Sequence, residues 1–160
     1  MTEVSIEHEQ DVFLDPIAPI LEQDSCFGAS GIDLARWSNT VFIPLTLVGD
    51  GRSYAIEDPN ALVNHLVALE RKAFELGVAG LRTEILSCEK PVPDMAIVSS
   101  LRERLSGVGA VLGTVSMTWT VLRFDGSWKI NQILFNDTVR DPSVTAQVFL
   151  GHHNKKSDDP

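Results

Sequence analysis

The sequence predicts an α+β domain in which helices pack on one face of an antiparallel sheet. Three observations lead to this fold class. The segment 59–76 carries an apolar stripe at helical spacing. Residues 114–121 alternate polar and apolar side chains, which is the period of a half-buried strand. Asp125-Gly126 then supplies a strong hairpin signal before a second apolar run at 128–135.

Two helices and a hairpin are expected before the long helix. The apolar residues of 12–27 suit a helical face, although two prolines confine the regular helix to part of that stretch. A short second helix is expected near Asp33, which can cap it. The runs 41–48 and 53–56 flank a Gly-rich turn, so they predict the hairpin.

The long helix has the clearest boundaries. Asp58 is a good N-cap, Pro59 suits the first helical position, and Gly77 is a fitting terminator. After it the apolar period becomes two, which indicates strands. Residues 95–105 fit either a helix capped by Asp94 or a strand. We interpret this segment as a strand because strands are expected on both sides of it.

Composition limits the classes of partner. A single domain is expected over residues 1–160, with an ordered core at about 12–150. The 13 basic and 22 acidic residues give a formal net charge of −9, which argues against nucleic acid and anionic membranes as partners. Residues 1–35 contain eight acids and no Lys or Arg, so they form either a solvated segment or an acidic docking surface.

The two cysteines and the N-terminus indicate a compartment. Cys26 and Cys88 lack the CxxC spacing of redox and zinc sites. The first ten residues lack the apolar core of a signal peptide. We therefore expect a cytoplasmic protein with two free thiols, no metal and no cofactor.

Three segments carry a resemblance to a known superfamily. They are Asp58-Pro59 with the helix that follows, the strand 114–122, and the hairpin 125–130, whose Gly-Ser-Trp-Lys-Ile has a Gly-x-Trp-Lys/Arg-Ile pattern. Together with the order of elements, they resemble the nuclear transport factor 2-like (NTF2-like) superfamily, which includes SnoaL-like cyclases and ketosteroid isomerases. The resemblance covers roughly residues 12–139. It implies a curved antiparallel sheet wrapped around the long helix as a cone-shaped α+β barrel, with a pocket between them.

A homodimer is expected on two grounds. The resemblance implies pairing through the outer sheet face, which is common in the superfamily. Independently, the strands that begin near 114 and 128 carry large apolar residues on both parities, and one domain can bury only one face.

The candidate pocket residues come from periodicity. His65 borders the buried stripe of the long helix, where it is either a general acid or base or a helix-edge histidine bonded to a carbonyl. On the last strand, Lys129 should point to solvent, so we expect the parity set of Trp128 to face inward. Gln132 and Asn136 would then line the pocket, while a bulge would exchange Asn136 for the neighbouring acid. The full set of candidates is Tyr54, His65, Glu84, Trp119, Gln132, Asn136 and Asp137.

The resemblance also implies roles for acids. Enzymes of this superfamily use an inward Asp with a Tyr or a second acid nearby, and Asp137, Glu84 and Tyr54 are the residues of those types here. No Asp-Arg-Asp arrangement like that of the epoxide-hydrolase relatives can be placed. Arg102 and Arg104 share a face, which is either solvated or, if inward, able to grip a carboxylate or phosphate.

Three functions remain open from the sequence. The first is binding of a small, neutral, partly apolar molecule in the pocket, with no assignable reaction. The second is a SnoaL-like isomerase, cyclase or lyase that uses a pocket carboxylate. The third is a non-catalytic dimerisation or docking module. An inward, buried acid would favour the second function, and a filled cavity would favour the third.

Overall fold

The structure, a computed structural model, describes residues 12–49 and 51–136. It confirms the α+β class and the large, curved, mostly antiparallel sheet. The helices are α1 (Ala18–Cys26), α2 (Leu34–Ser38) and α3 (Pro59–Glu75). The strands are β1 (Phe27–Gly28), β2 (Gly31–Ile32), β3 (Val41–Gly49), β4 (Arg52–Ile56), β5 (Gly80–Val92), β6 (Met95–Leu105), β7 (Val111–Phe124) and β8 (Ser127–Phe135).

The main sheet has the strand order β4-β3-β8-β7-β6-β5. All neighbours are antiparallel except β3 and β8, which are parallel. We call the side of the sheet that faces α1 and α3 the inner face, and the opposite side the outer face. Strands β1 and β2 form a separate two-stranded hairpin directly after α1, which the sequence pattern does not predict.

Helix α3 has the predicted boundaries because local chemistry determines both ends. The Asp58 carboxylate accepts a hydrogen bond of 2.8 Å from the Ala61 N–H, and Pro59 occupies the first turn. Gly77 follows the helix with a φ of +78°, a conformation that favours glycine. The buried side of the helix consists of Leu62, His65, Leu66, Leu69 and Ala73.

The segment 95–105 is a strand, as interpreted from its neighbours. It pairs with β5 on one side and with β7 on the other. Its inner-face residues are Ala96, Val98, Ser100, Arg102 and Arg104, which are all buried. Ile97 and Leu101 point to the outer face, so the apolar spacing that resembled a helix belongs to two different faces of a strand.

The turn between β7 and β8 also agrees with the prediction. Asp125 and Gly126 have positive φ values of 55° and 78°, as expected for an Asp-Gly hairpin turn. The inner face of β7 consists of Val115, Met117, Trp119 and Val121, each at most 1% exposed. The alternation of 114–121 therefore separates a core face from an outer face.

A bulge in β8 corrects the predicted parity of that strand. Ile130 pairs with Val121 while Gln132 pairs with Thr120, so Asn131 is an extra residue. Trp128 and Ile130 face inward before the bulge, as predicted. After it the parity reverses, and Ile133 and Phe135 are the buried residues.

Candidate functional site

The interior of the cone contains a small cavity between α3 and the inner face. Its volume is about 30 Å³. That is room for one or two water molecules, whereas sites for small organic ligands begin at about 300 Å³. The cavity lining is mostly apolar, and its polar members are Gln23, His65 and Arg102. Of the described residues that line it, none is Asp or Glu.

Arg102 is the central polar residue of the interior. Its side chain is 1% exposed, and its guanidinium donates to the Thr83 hydroxyl at 2.8 Å and the Gln23 side-chain oxygen at 3.1 Å. It also donates to the Ile20 carbonyl oxygen at 3.1 Å. An ion pair of 3.1 Å joins it to Asp24, whose side chain is 16% exposed. Burial lowers the pKa of Arg102, and the Asp24 charge opposes that shift.

These contacts connect α1 to the sheet. Gln23 donates from its amide nitrogen to the Thr40 hydroxyl at 3.0 Å, and Thr40 donates to the Trp37 carbonyl at 2.7 Å. The Thr83 hydroxyl donates to the Asp24 carboxylate at 2.9 Å. Because Asp24 neutralises Arg102, the polar end of the cavity carries no net charge from this pair.

Trp119 lies in the core beside this network. Its indole N–H donates to the Ser100 hydroxyl at 2.8 Å, and the Arg102 guanidinium lies 4.9 Å from its ring centroid. The residues that line the cavity do not include Trp119. Trp119 was expected to line the pocket, but in the structure it packs against Arg102 in the core.

His65 and Tyr54 lie close together. His65 is buried on α3 and lines the cavity. Tyr54 is half-buried on β4, and its ring centroid is 6.1 Å from that of His65. These two residues bring an imidazole and a phenol to the same side of the interior.

Of the remaining candidates, Glu84, Gln132 and Asn136 do not converge on the interior. Glu84 is exposed on the outer face of β5. Gln132 lies on the outer face, where its side-chain oxygen is 3.5 Å from the Thr120 hydroxyl. Asn136 donates to the Ser116 and Thr118 hydroxyls of the same face at 3.3 and 3.2 Å. For Gln132 and Asn136 the cause is the β8 bulge, and Asp137 lies outside the described residues.

Sequence reasoning also missed members of the site. The sequence leaves Arg102 either solvated or inward, and the structure places it inward. The alternation of β6 gave no signal for the inward orientation, because the opposite parity, with Ile97, Leu101 and Leu105, is the more apolar one. For Gln23, on α1, no local signal distinguishes an inward amide from a solvated one.

Other reactive groups show no catalytic arrangement in the described residues. No group of three or more His, Cys, Asp or Glu that could hold a metal occurs there. Cys26 is buried, and burial raises the pKa of its thiol to about 11. Cys88 is exposed. Among the described helices, none has the length and apolarity needed to cross a bilayer.

Comparisons with known proteins agree with this architecture. No protein-family model matches the sequence, and no curated protein matches it. An NTF-2 like protein of unknown function from Shewanella oneidensis MR-1 aligns with a TM-score of 0.59 and 16% identity, over 74% of this chain and 93% of that chain. A ketosteroid isomerase-like protein from Erwinia carotovora atroseptica aligns with a TM-score of 0.52 and 19% identity, over 84% and 96% of the two chains.

A third structure extends the comparison. A protein of unknown function with a cystatin-like fold from Nostoc punctiforme aligns with a TM-score of 0.57 and 13% identity, over 76% of this chain and 89% of that chain. At these identities the similarity shows the fold and carries no reaction. The resemblance to the NTF2-like superfamily is thus confirmed at the level of fold.

Proposed function

We propose that this protein is a non-catalytic NTF2-like module that forms a homodimer through the outer face of β5–β8. The observation that carries the proposal is the filled interior. A cavity of about 30 Å³ leaves no room for an organic substrate, and the described lining contains no carboxylate. Of the two candidate carboxylates for a pocket enzyme, Glu84 lies on the outer face and Asp137 lies outside the described residues, so the described part of the chain offers no pocket carboxylate.

The composition of the outer face supports a partner surface. Strand β7 places Thr114, Ser116, Thr118 and Thr120 there, all half-buried. Apolar residues lie beside these hydroxyls, and Ile97 and Leu134 are each 37% exposed. A two-fold interface brings the same patch of both protomers together. Apolar side chains can then pack against apolar side chains, and hydroxyls can hydrogen-bond to hydroxyls.

The test is the mass of the full chain by light scattering at micromolar concentration. We expect a mass of twice 17.5 kDa. Leu134→Lys should shift the protein to the monomer, because a charge in the covered face has no partner there. Val63→Lys is the matched control, since Val63 is 39% exposed but lies on α3. A monomer mass for the unchanged chain, or equal dissociation by both variants, would overturn the proposal.

Binding of a small molecule in the interior is the second candidate, and it requires the interior to open beyond the cavity of about 30 Å³. It is favoured by the convergence of Gln23, His65 and Arg102 on one cavity. The ligand would have to be neutral because Asp24 already balances Arg102. Chemical-shift mapping with small neutral alcohols and amides tests it. Shifts centred on the amides of these three residues would support interior binding, and shifts confined to the outer face would reject it.

A further inference from the structure

A second concave site lies at the C-terminal half of α3 and shares no lining residue with the interior cavity. It is a groove of about 300 Å³ between the β1–β2 hairpin and the C-terminal half of α3. We call it the hairpin groove. Phe27, Ala73 and Val78 contribute buried apolar surface to it, and the hairpin turn contributes backbone. Its volume reaches the lower end of the range for small-molecule sites.

An aromatic side chain stands unusually exposed at this groove. Phe74 lines it and is 80% exposed, whereas Phe27, which also lines it, is 8% exposed. Covering an aromatic ring removes a large apolar area from water. An apolar body that packs on the exposed Phe74 ring therefore binds favourably.

A fixed carboxylate supplies the polar part of the groove. Glu70 lines it, and its Oε2 accepts a hydrogen bond of 2.7 Å from the Ile32 N–H. The carboxylate sits against Gly31, where a Cβ would collide with it, and Gly31 has a φ of +119°. Within the described part of the chain this is its one hydrogen bond, although a carboxylate offers about four acceptor positions.

We propose that the hairpin groove binds a small organic cation with an apolar body and a protonated amine. The ammonium group donates to the Glu70 carboxylate, while the body packs on Phe27 and Phe74. The formal net charge of −9 also raises the local concentration of cations near the surface. Arg71 is the one cationic side chain among the described residues of the lining, and it is exposed, so water screens its charge.

The decisive experiment compares two probes of similar size and opposite charge. The full chain is titrated calorimetrically with 2-phenylethylammonium chloride and with sodium 3-phenylpropionate. We expect saturable binding of the amine and at least about tenfold weaker binding of the carboxylate. Glu70→Gln keeps an acceptor for the Ile32 N–H but removes the charge, and it should weaken the amine about tenfold.

Two further variants separate groove binding from effects on folding. Phe74→Ser changes an exposed side chain, so it should weaken the amine without altering the unfolding midpoint. Gly28→Val should block the groove, because a Cβ at Gly28 meets no atom within 4 Å and its φ is not positive. Leu14→Ser is the matched control, since Leu14 is also 80% exposed but does not line the groove.

Any one of the following results would overturn the proposal. One is the absence of saturable amine binding at about 10 mM. Another is equal affinity for the amine and the carboxylate, or an amine affinity that Glu70→Gln leaves unchanged. The third is an equal loss of binding in Leu14→Ser and Phe74→Ser. None of these results depends on the oligomeric state, so they are distinguishable from failure of the dimer.

Discussion

Replacing Arg102 by Met should destabilise the protein strongly, because the buried guanidinium connects α1 to the sheet. The variant removes three hydrogen bonds and one ion pair, and it leaves the Ile20 carbonyl and the Gln23 oxygen buried without these donors. Met fills most of the same volume and retains packing on Trp119, so the cavity contribution is small. The loss is therefore mainly electrostatic.

Its magnitude follows from the exposure of the two partners. Removing one member of a buried ion pair costs about 3–5 kcal/mol. Asp24 is 16% exposed, so its charge can reach water when Arg102 is gone, and we expect a cost near the lower limit, about 3 kcal/mol. At about 2–4 °C per kcal/mol for a domain of this size, the melting temperature should fall by about 6–12 °C.

The assay is urea unfolding with a thermal melt, and Arg82→Met is the matched control. Arg82 pairs with Glu103 at 2.7 Å, but its side chain is 62% exposed, so its loss should cost under about 1 kcal/mol. The double variant with Asp24→Asn should cost about 1–3 kcal/mol less than the sum of the single variants. Equal effects of Arg102→Met and Arg82→Met, or full additivity, would refute the reasoning.

Two further predictions concern the tryptophan at the end of the sheet and the buried thiol. Trp128→Ala should cost about 3–5 kcal/mol, because the ring is 2% exposed and lies 5.4 Å from the Arg123 guanidinium; an unchanged urea midpoint with an unchanged slope would contradict this. Cys26 should make stability depend on alkaline pH. Folding raises the pKa of its thiol from 9.0 to about 11, so its contribution is fully present below pH 9 and is lost as pH rises to about 11. Urea midpoints should fall across that window more steeply in the unchanged chain than in Cys26→Ala, and parallel profiles would show that another group is responsible.

Much of the fold could be predicted because its signals are local. The Asp58 cap, the apolar stripe of α3 and the Asp-Gly turn each act within a few residues of chain. The same holds for β7, where strict alternation assigns each side chain to a face. Helical periodicity puts His65 at the border of the apolar stripe of α3, and in the structure it is buried there and lines the cavity.

The site depended on information that no local window contains. A bulge at Asn131 reversed the second half of β8 and moved Gln132 and Asn136 to the outer face. Large apolar residues occupy both parities of β8, so the predicted orientation rested on Lys129 alone. The β1–β2 hairpin is only two residues long on each strand, too short for a periodic signal.

By itself the sequence determined the fold class, the long helix and the two-faced strands, since capping, turn geometry and periodicity are properties of short segments. Only the tertiary structure decided that Arg102 faces inward. A guanidinium is expected in solvent unless polar partners compensate its burial. Here the partners include Gln23 on α1, 79 residues away along the chain, and Thr83 on β5, 19 residues away. Only packing could also decide the volume of the cavity. That volume depends on how side chains from α1, α3 and the inner face fill a shared space, a property that no single element possesses.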